Sequence, residues 1–220
     1  MCIRDSQWSY VFGLVYRHFR AKGYDTWVLS RNMLSNDQVK YTNNVEVPDS
    51  LLFSYNSQEI ENKLRYEGLT DLVKWKITYG AGLEYAKYSN KTYQKIFVAN
   101  QLRTLDYNSR IELWKWSVFA QVSRAFFNDR LNLNLGIRMD ANNYSDNMNN
   151  LLKQFSPRFS ASYALVANKF FLNLNIGRYY QLPAYTSLGF RSNNGTLVND
   201  SLGIKSVSYT HLTLPTKRIV

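Results

Sequence analysis

Hydrophobic and polar residues alternate along much of the chain, most regularly in "LNLNLGIRMD" at residues 131–140. One parity of this stretch is aliphatic, and the other carries amides, a glycine, a guanidinium and a carboxylate. A period of two over ten residues is typical of an extended strand with two opposite faces. The aliphatic face must therefore either pack on a protein core or meet lipid.

The same two-faced pattern recurs in at least seven other stretches. They read "WSYVFGLVYRHF", "TWVLSRNML", "SQEIENKLRYE", "WKITYGAGLEYAKY", "LWKWSVFAQVSRAF", "RFSASYAL" and "FLNLNIGRYYQL". Most of these strands have ten or more residues, where about five or six is usual in globular proteins. A helix is the rival for "SQEIENKLRYE", because Glu, Lys and Leu favour helices. Its charges alternate too regularly for a helical face, so the pattern favours a strand there as well.

The connections alternate in length along the chain. Tight turns at "RAKGYD", "FNDR" and "ANK" contrast with long polar segments at 35–56, 90–112, 141–156 and 183–205. Antiparallel strands joined in this order place every long loop at one end of the sheet, as in outer-membrane barrels. We therefore expect an all-β, antiparallel up-and-down meander of about eight long strands, an open part of a transmembrane β-barrel.

Three observations favour lipid over a protein core on the aliphatic face. The strands are long enough for a tilted bilayer crossing, which takes about 9–11 residues. Aromatic residues gather near strand ends, as in membrane-interface girdles. Ionisable residues occupy the opposite parity, which suits a watery lumen or a polar plug. We expect these residues to face the lumen or plug: Glu59, Glu61, Lys63, Arg65, Glu84, Arg138, Asp140 and Arg158. We expect these to face lipid: Leu131, Leu133, Leu135, Ile137, Leu172, Leu174 and Ile176.

Composition and charge narrow the function classes. The mean hydropathy of −0.38 would usually indicate a soluble protein, but alternate polar residues in barrel strands give the same value. A formal net charge of +11 raises anionic lipid or nucleic acid as partners. The Lys and Arg residues are scattered singly, apart from "TKR" at 216–218, so no nucleic-acid partner is expected.

Motifs for catalysis, cofactors and metals are missing from the sequence. One cysteine and two histidines leave no metal-ligand spacing. The G-x-G of "YGAGLEY" lies within a strand pattern rather than before a helix. Glu59 and Glu61 share a face like a glycosidase pair, but Lys63 and Arg65 beside them favour a neutralised charge ladder. We therefore expect no enzyme activity, no cofactor and no metal.

The sequences of the two ends do not resemble the rest of the chain. Residues 1–6, "MCIRDS", and 206–220, "SVSYTHLTLPTKRIV", resemble translated sequencing-adapter read-through. Genuine terminal segments are the alternative. The expected division is a non-native end at 1–6, a partial outer-membrane barrel at 7–205 and a non-native end at 206–220.

The block at residues 131–185 resembles the barrel of TonB-dependent outer-membrane receptors, especially those of Bacteroidetes. The pieces that carry the resemblance are "GIRMD", a Tyr- and Asn-rich loop, "SPRFSASY" and "YYQLPAY". The resemblance implies a plugged 22-stranded barrel in the outer membrane of a Gram-negative bacterium. It implies import of a scarce solute, such as a siderophore, cobalamin, glycan or peptide, driven by the TonB system. About eight strands supply only a piece of that wall.

The resemblance also implies partners: outer-membrane lipid, a plug domain, the remaining barrel strands, and the TonB complex through an N-terminal segment not seen in the sequence. Arg138, Asp140 and Arg158 are candidate ligand contacts, or they pair with each other or with the plug. Two alternatives stay open. One is a plugless barrel, either a porin or a structural protein. The other is a soluble β-sandwich that binds nucleic acid or carbohydrate, whose aliphatic face a second sheet would bury.

Overall fold

The computed structural model describes residues 4–166, 169–192, 194–213 and 216–218. Its strands are β1 (Arg4–Arg20), β2 (Gly23–Tyr41), β3 (Leu51–Leu72), β4 (Trp75–Val98), β5 (Gln101–Phe126), β6 (Leu131–Asn142), β7 (Phe155–Val166), β8 (Phe170–Gln181), β9 (Val207–Thr213) and β10 (Thr216–Arg218). Helical segments are short: 3-10 turns at Thr42–Asn44, Pro48–Ser50 and Leu151–Gln154, and helices α1 (Tyr185–Leu188) and α2 (Val198–Ser201).

All ten strands belong to one antiparallel sheet in which β1 to β8 follow chain order. β9 and β10 both pair with β8 in a single register, Thr213 opposite Asn175 and Thr216 opposite Leu172. The predicted up-and-down meander is confirmed, with β9 and β10 adding one row to the eight expected. The β-sandwich alternative is wrong, because the described strands form this single open sheet and not two packed layers.

The cross-strand register gathers the two parities onto two faces. On one, the apolar face, Leu64 of β3 lies opposite Leu83 of β4, which lies opposite Trp116 of β5. On the other, the polar face, Lys63 lies opposite Glu84 in the neighbouring strand. Leu64 and Leu83 are each more than 40% exposed on the apolar face. Because large exposed apolar surfaces mark an interaction partner, this face must meet something other than water.

Tight connections gather at one end of the sheet, after β1, β3, β5 and β7. A hydrogen bond from the Asp71 amide of β3 to the Lys22 carbonyl oxygen, 2.8 Å, joins the turn at 21–22 to the neighbouring strand. Gly23, directly after it, has φ +145, and a Cβ there would lie 1.8 Å from the Leu69 carbonyl oxygen. Only glycine fits so close to the neighbouring strand. The predicted turn "ANK" includes residues 167 and 168, which lie outside the described residues.

At the opposite end the predicted loop bounds need correction. The segment 90–112 is not a loop, since β4 and β5 run through it to a two-residue turn at Ala99 and Asn100. Their φ values of 49° and 63° are those of a type I′ hairpin. The segment 35–56 shrinks to a connection at 42–50. Most residues of these stretches are polar on both parities, so their sequence resembles a loop although they continue the sheet.

Residues at the two ends of the chain also join the sheet. β1 begins at Arg4, and β9 covers residues 207–213 of the segment expected to be non-native. Residues 1–3, 214–215 and 219–220 lie outside the described residues. Extended segments of any origin can add to an exposed sheet edge. The non-native origin of 1–6 and 206–220 therefore stays a prediction.

Replacing Gly23 with alanine is expected to destabilise the folded barrel by about 2–4 kcal/mol, because the added methyl would collide with the backbone of β3. Gly136→Ala is the matched control, since a Cβ there meets its nearest atoms at 3.6–3.7 Å, an ordinary contact. Urea unfolding of the full-length protein in lipid vesicles measures both. Equal stabilities of the two variants would contradict the close approach at Gly23.

Candidate functional site

Four charged residues form a ring on the polar face of β3, β4 and β5. Lys63 Nζ lies 2.6 Å from a Glu61 carboxylate oxygen and 3.8 Å from one of Glu84. Lys115 Nζ lies 3.6 Å from the other Glu61 oxygen and also contacts Glu84. Each lysine therefore bridges both carboxylates, and the ring is neutral as a whole. We call these four residues the charged ring.

Tyr185 brings a distant loop onto the charged ring. It lies in α1, within the connection 182–206, and its hydroxyl donates to Glu61 Oε1 at 2.6 Å. The same hydroxyl accepts a hydrogen bond from Lys115 Nζ. Burial, followed by the hydrogen bond to Glu61, raises the pKa of the Tyr185 phenol well above its usual range. The phenol therefore keeps its proton and remains a donor to Glu61.

An apolar cluster fixes the rest of that loop. Leu188 is 0% exposed and packs with four residues of β4 and β5. These are Ala86, Tyr88, Ile111 and Leu113. The Tyr144 hydroxyl donates to the Leu188 carbonyl oxygen at 2.9 Å. The buried core of the described structure thus lies between the loop 182–206 and the polar face, on the side of the charged ring away from the tight turns.

Sequence reasoning missed this cluster. Ile111 and Leu113 share parity with the lysine at 115, so an apolar patch on the otherwise polar parity of β5 was visible in the sequence. Assigning 90–112 to a loop concealed it. The loop residue that covers the patch follows about 75 positions later, and no local pattern connects the two.

A cavity of about 390 Å³ lies beside the charged ring on the same face. Six of the eight residues expected to face the lumen line it: Lys63, Arg65, Glu84, Arg138, Asp140 and Arg158. Glu61 contacts the cavity's two lysines, Lys63 and Lys115. Glu59 lies farther along β3, opposite the buried Tyr88. The structure therefore places all eight on one face and gathers seven around one hollow.

The three candidate ligand contacts already have partners within the protein. Arg138 binds Asp140 with two nitrogens, at distances of 2.7–3.1 Å. The Arg158 guanidinium stacks over the Tyr179 ring, 4.6 Å from its centroid. Such contacts hold the side chains against the wall. A solute that bound here would have to share or displace them.

The seven residues expected to face lipid all lie on the apolar face. Those of β6 and β8 are joined through β7, since Leu133 and Leu174 both lie opposite Ala161. Leu135 is 58% exposed and Ile176 43%. Within the described residues, no helix has the length and apolarity to cross a membrane. Nor do those residues contain a group of three or more His, Cys, Asp or Glu placed to hold a metal.

Comparison with known proteins decides the family. The family described as "TonB dependent receptor-like, beta-barrel" matches residues 3–210. The chain belongs to this family. No match was found among curated proteins. The resemblance that the sequence indicated is confirmed, whereas its Bacteroidetes origin stays a prediction.

Two solved structures of TonB-dependent receptors show the same fold. The copper transporter OprC matches with a TM-score of 0.69 at 14% identity, over 99% of this chain and 37% of its own. The ferric enterobactin receptor PfeA of Pseudomonas aeruginosa, in its G324V form, matches with a TM-score of 0.58 at 16% identity, over 84% of this chain and 27% of its own. The chain thus spans about a third of such a receptor or less.

Tyr185→Phe is expected to loosen the loop 182–206, since it leaves Glu61 and Lys115 without their shared hydroxyl and costs about 1–3 kcal/mol. A spin label on a cysteine introduced at exposed position 194, with any other cysteine replaced by serine, reports loop mobility in the full-length protein. Tyr163→Phe on the apolar face is the control, because no hydrogen bond of its hydroxyl is seen among the described residues. A label equally immobile in both variants would contradict the role of Tyr185.

Proposed function

We propose that this chain is part of the barrel wall of a TonB-dependent importer in the outer membrane of a Gram-negative bacterium. The single observation that supports this most is a sheet of this receptor family with one bare apolar face and one charged face. A barrel wall needs both, because its outside meets lipid and its inside meets water and protein. A transport role also agrees with the lack of any recognised catalytic motif.

The apolar band defines the proposed membrane level. On β4 it runs from Trp75 to Tyr85, eleven residues, which at a tilt near 45° span roughly 25 Å. Trp75 and the Tyr85–Trp114 pair, with ring centroids 4.9 Å apart, mark its two borders. Aromatic girdles at both interfaces are typical of such barrels.

The tight turns would then lie on the periplasmic side and the long connections outside the cell. β4 and β5 have 24 and 26 residues, more than twice what the bilayer needs. Their excess would stand above the membrane as an outer wall. The loop 182–206, held by Tyr185 and Leu188, would narrow the lumen at that outer level.

The remaining parts of the importer would come from the rest of the receptor. A plug domain would fill the lumen against the polar face, further strands would close the barrel, and the TonB complex would pull on an N-terminal segment. The solute would be a scarce one, such as a siderophore, cobalamin, glycan or peptide. The two similar structures are named for copper and ferric enterobactin, so both belong in a substrate test.

The membrane assignment predicts a sharp difference between neighbouring positions. Leu135→Lys would place a charge in hydrocarbon and cost about 2–4 kcal/mol, whereas Asn134→Lys on the polar face is expected to change stability little. Urea unfolding of the full-length protein in lipid vesicles measures both. If Asn134→Lys proved as harmful as Leu135→Lys, the apolar face would not be the lipid face.

The transport assignment predicts a shared defect in solute uptake. Deleting the full-length gene, or the gene for TonB, should each abolish high-affinity uptake of one solute from a panel of iron complexes, copper, cobalamin, glycans and peptides. Radiolabelled uptake at nanomolar solute is the measurement, with the complemented deletion as control. Uptake that continues without TonB would instead favour the plugless-barrel alternative.

A further inference from the structure

The sheet splits at the outer ends of β7 and β8. β7 pairs with β8 only as far as Arg158 opposite Gly177. Beyond that point residues 178–181 of β8 remain paired with β9 on one side. On the other side a cavity of about 300 Å³ opens, bounded by the connection 143–154. The split therefore creates a hollow that a continuous ladder would not leave.

Three cations from three different segments line this hollow. They are Lys153 before β7, Arg178 on β8 and Lys205 before β9. The other described lining residues are Asn147, Met148, Gln154, Tyr180, Ser206 and Ser208, and none of these is a carboxylate. All three cations precede residue 206. We call them the cation triad.

The cation triad differs from the lysines of the charged ring and from Arg138. Lys63, Lys115 and Arg138 each have a carboxylate partner. Within the described part of the chain, no member of the triad forms an ion pair. Lys153 Nζ donates to the Asn147 side-chain oxygen at 3.2 Å, and the Arg178 guanidinium lies 4.9 Å from the Tyr180 ring centroid. Neither contact neutralises the charge, so the hollow favours an anion.

The position of the triad indicates the kind of anion. Arg178 has the same strand parity as Ile176, two residues before it, and those two residues span about 7 Å. Leu172, Leu174 and Ile176 form the apolar run that leads up to it. A lipid whose chains lie along this run would bring its headgroup to the hollow. The apolar run thus suits the chains of an amphiphilic lipid, and the cation triad suits its headgroup.

The charge of the triad indicates the headgroup. A phosphomonoester carries about −1.5 to −2 at neutral pH and offers three acceptor oxygens, whereas a phosphodiester carries one charge. A guanidinium binds phosphate oxygens in pairs, and two ammonium groups add point charges. We propose that the cation triad binds the phosphomonoester headgroup of an outer-leaflet lipid. This inference rests on the proposed membrane orientation.

The test uses the full-length receptor in phosphatidylcholine nanodiscs that contain a small fraction of phosphatidic acid, with retained lipid counted by native mass spectrometry. The triple variant Lys153→Gln, Arg178→Gln, Lys205→Gln is expected to lose at least about tenfold in phosphatidic acid affinity. The control is Lys22→Gln, Lys74→Gln, Lys169→Gln, which removes the same charge at the tight-turn end and is expected to bind as the native protein does.

Lipid and free-anion sources are separated by competition. Diacylglycerol, which lacks the phosphate, should not compete, phosphatidylglycerol should compete weakly, and inorganic phosphate should not displace the lipid. Displacement by inorganic phosphate at a similar concentration would show a free-anion site and overturn the proposal. So would equal losses in the triad variant and the control.

A second variant guards against loss of folding. Arg178→Lys keeps the charge but removes paired hydrogen bonding, and is expected to weaken binding about two- to threefold. Failure of the native receptor to insert into nanodiscs would overturn the proposed membrane function together with this inference. Insertion with phosphatidic acid binding that the triad does not affect would overturn this inference alone.

Discussion

A backbone that crosses hydrocarbon must satisfy every N–H and C=O within protein, because lipid chains offer no hydrogen bonds. The continuous antiparallel ladder from β1 to β8 meets this requirement along each shared edge. Once the ladder is fixed, the period of two sends alternate side chains to opposite faces. The apolar face and the polar face both follow from it.

The polar face carries its charges in a largely neutralised form. Each cation of the charged ring contacts two carboxylates, and Arg138 contacts Asp140 within its own strand. Half-exposed ion pairs of this kind contribute modestly to stability. Their consequence is chemical: a wall neutral by itself can face water, a plug or a passing solute without strongly attracting ions. The loop 182–206 holds this arrangement further, because its Tyr185 hydroxyl hydrogen-bonds both Glu61 and Lys115.

The sequence pattern predicted the features that depend on residues close together in the chain, such as the face on which each strand residue lies. The alternation in "LNLNLGIRMD" is enough to predict that Leu135 and Arg138 lie on opposite faces of the sheet. It failed in the outer halves of β4 and β5, because most of their residues are polar on both parities and the apolar patch that the loop 182–206 covers is only a few residues long. The contact between Tyr185 and Glu61 joins residues 124 apart and has no local signature. Gly23 resembled an ordinary turn glycine, and only the nearby Leu69 carbonyl shows why a side chain is excluded.

Part of the net charge of +11 lies at the two borders of the apolar band. Near the tight turns, the Arg124 guanidinium lies 4.7 Å from the Trp75 ring centroid, and at the other border Arg178 lies over Tyr180. Both pairs are on the apolar face. At a membrane–water interface, an aromatic ring can lie at the border of the hydrocarbon while the guanidinium that stacks on it reaches the headgroup region. In the proposed membrane orientation, some of the positive charge that is scattered singly in sequence would lie at two levels, one on each side of the hydrocarbon. In that orientation the two guanidinium groups would resist vertical displacement of the wall, because moving it either way would draw one of them into the apolar layer.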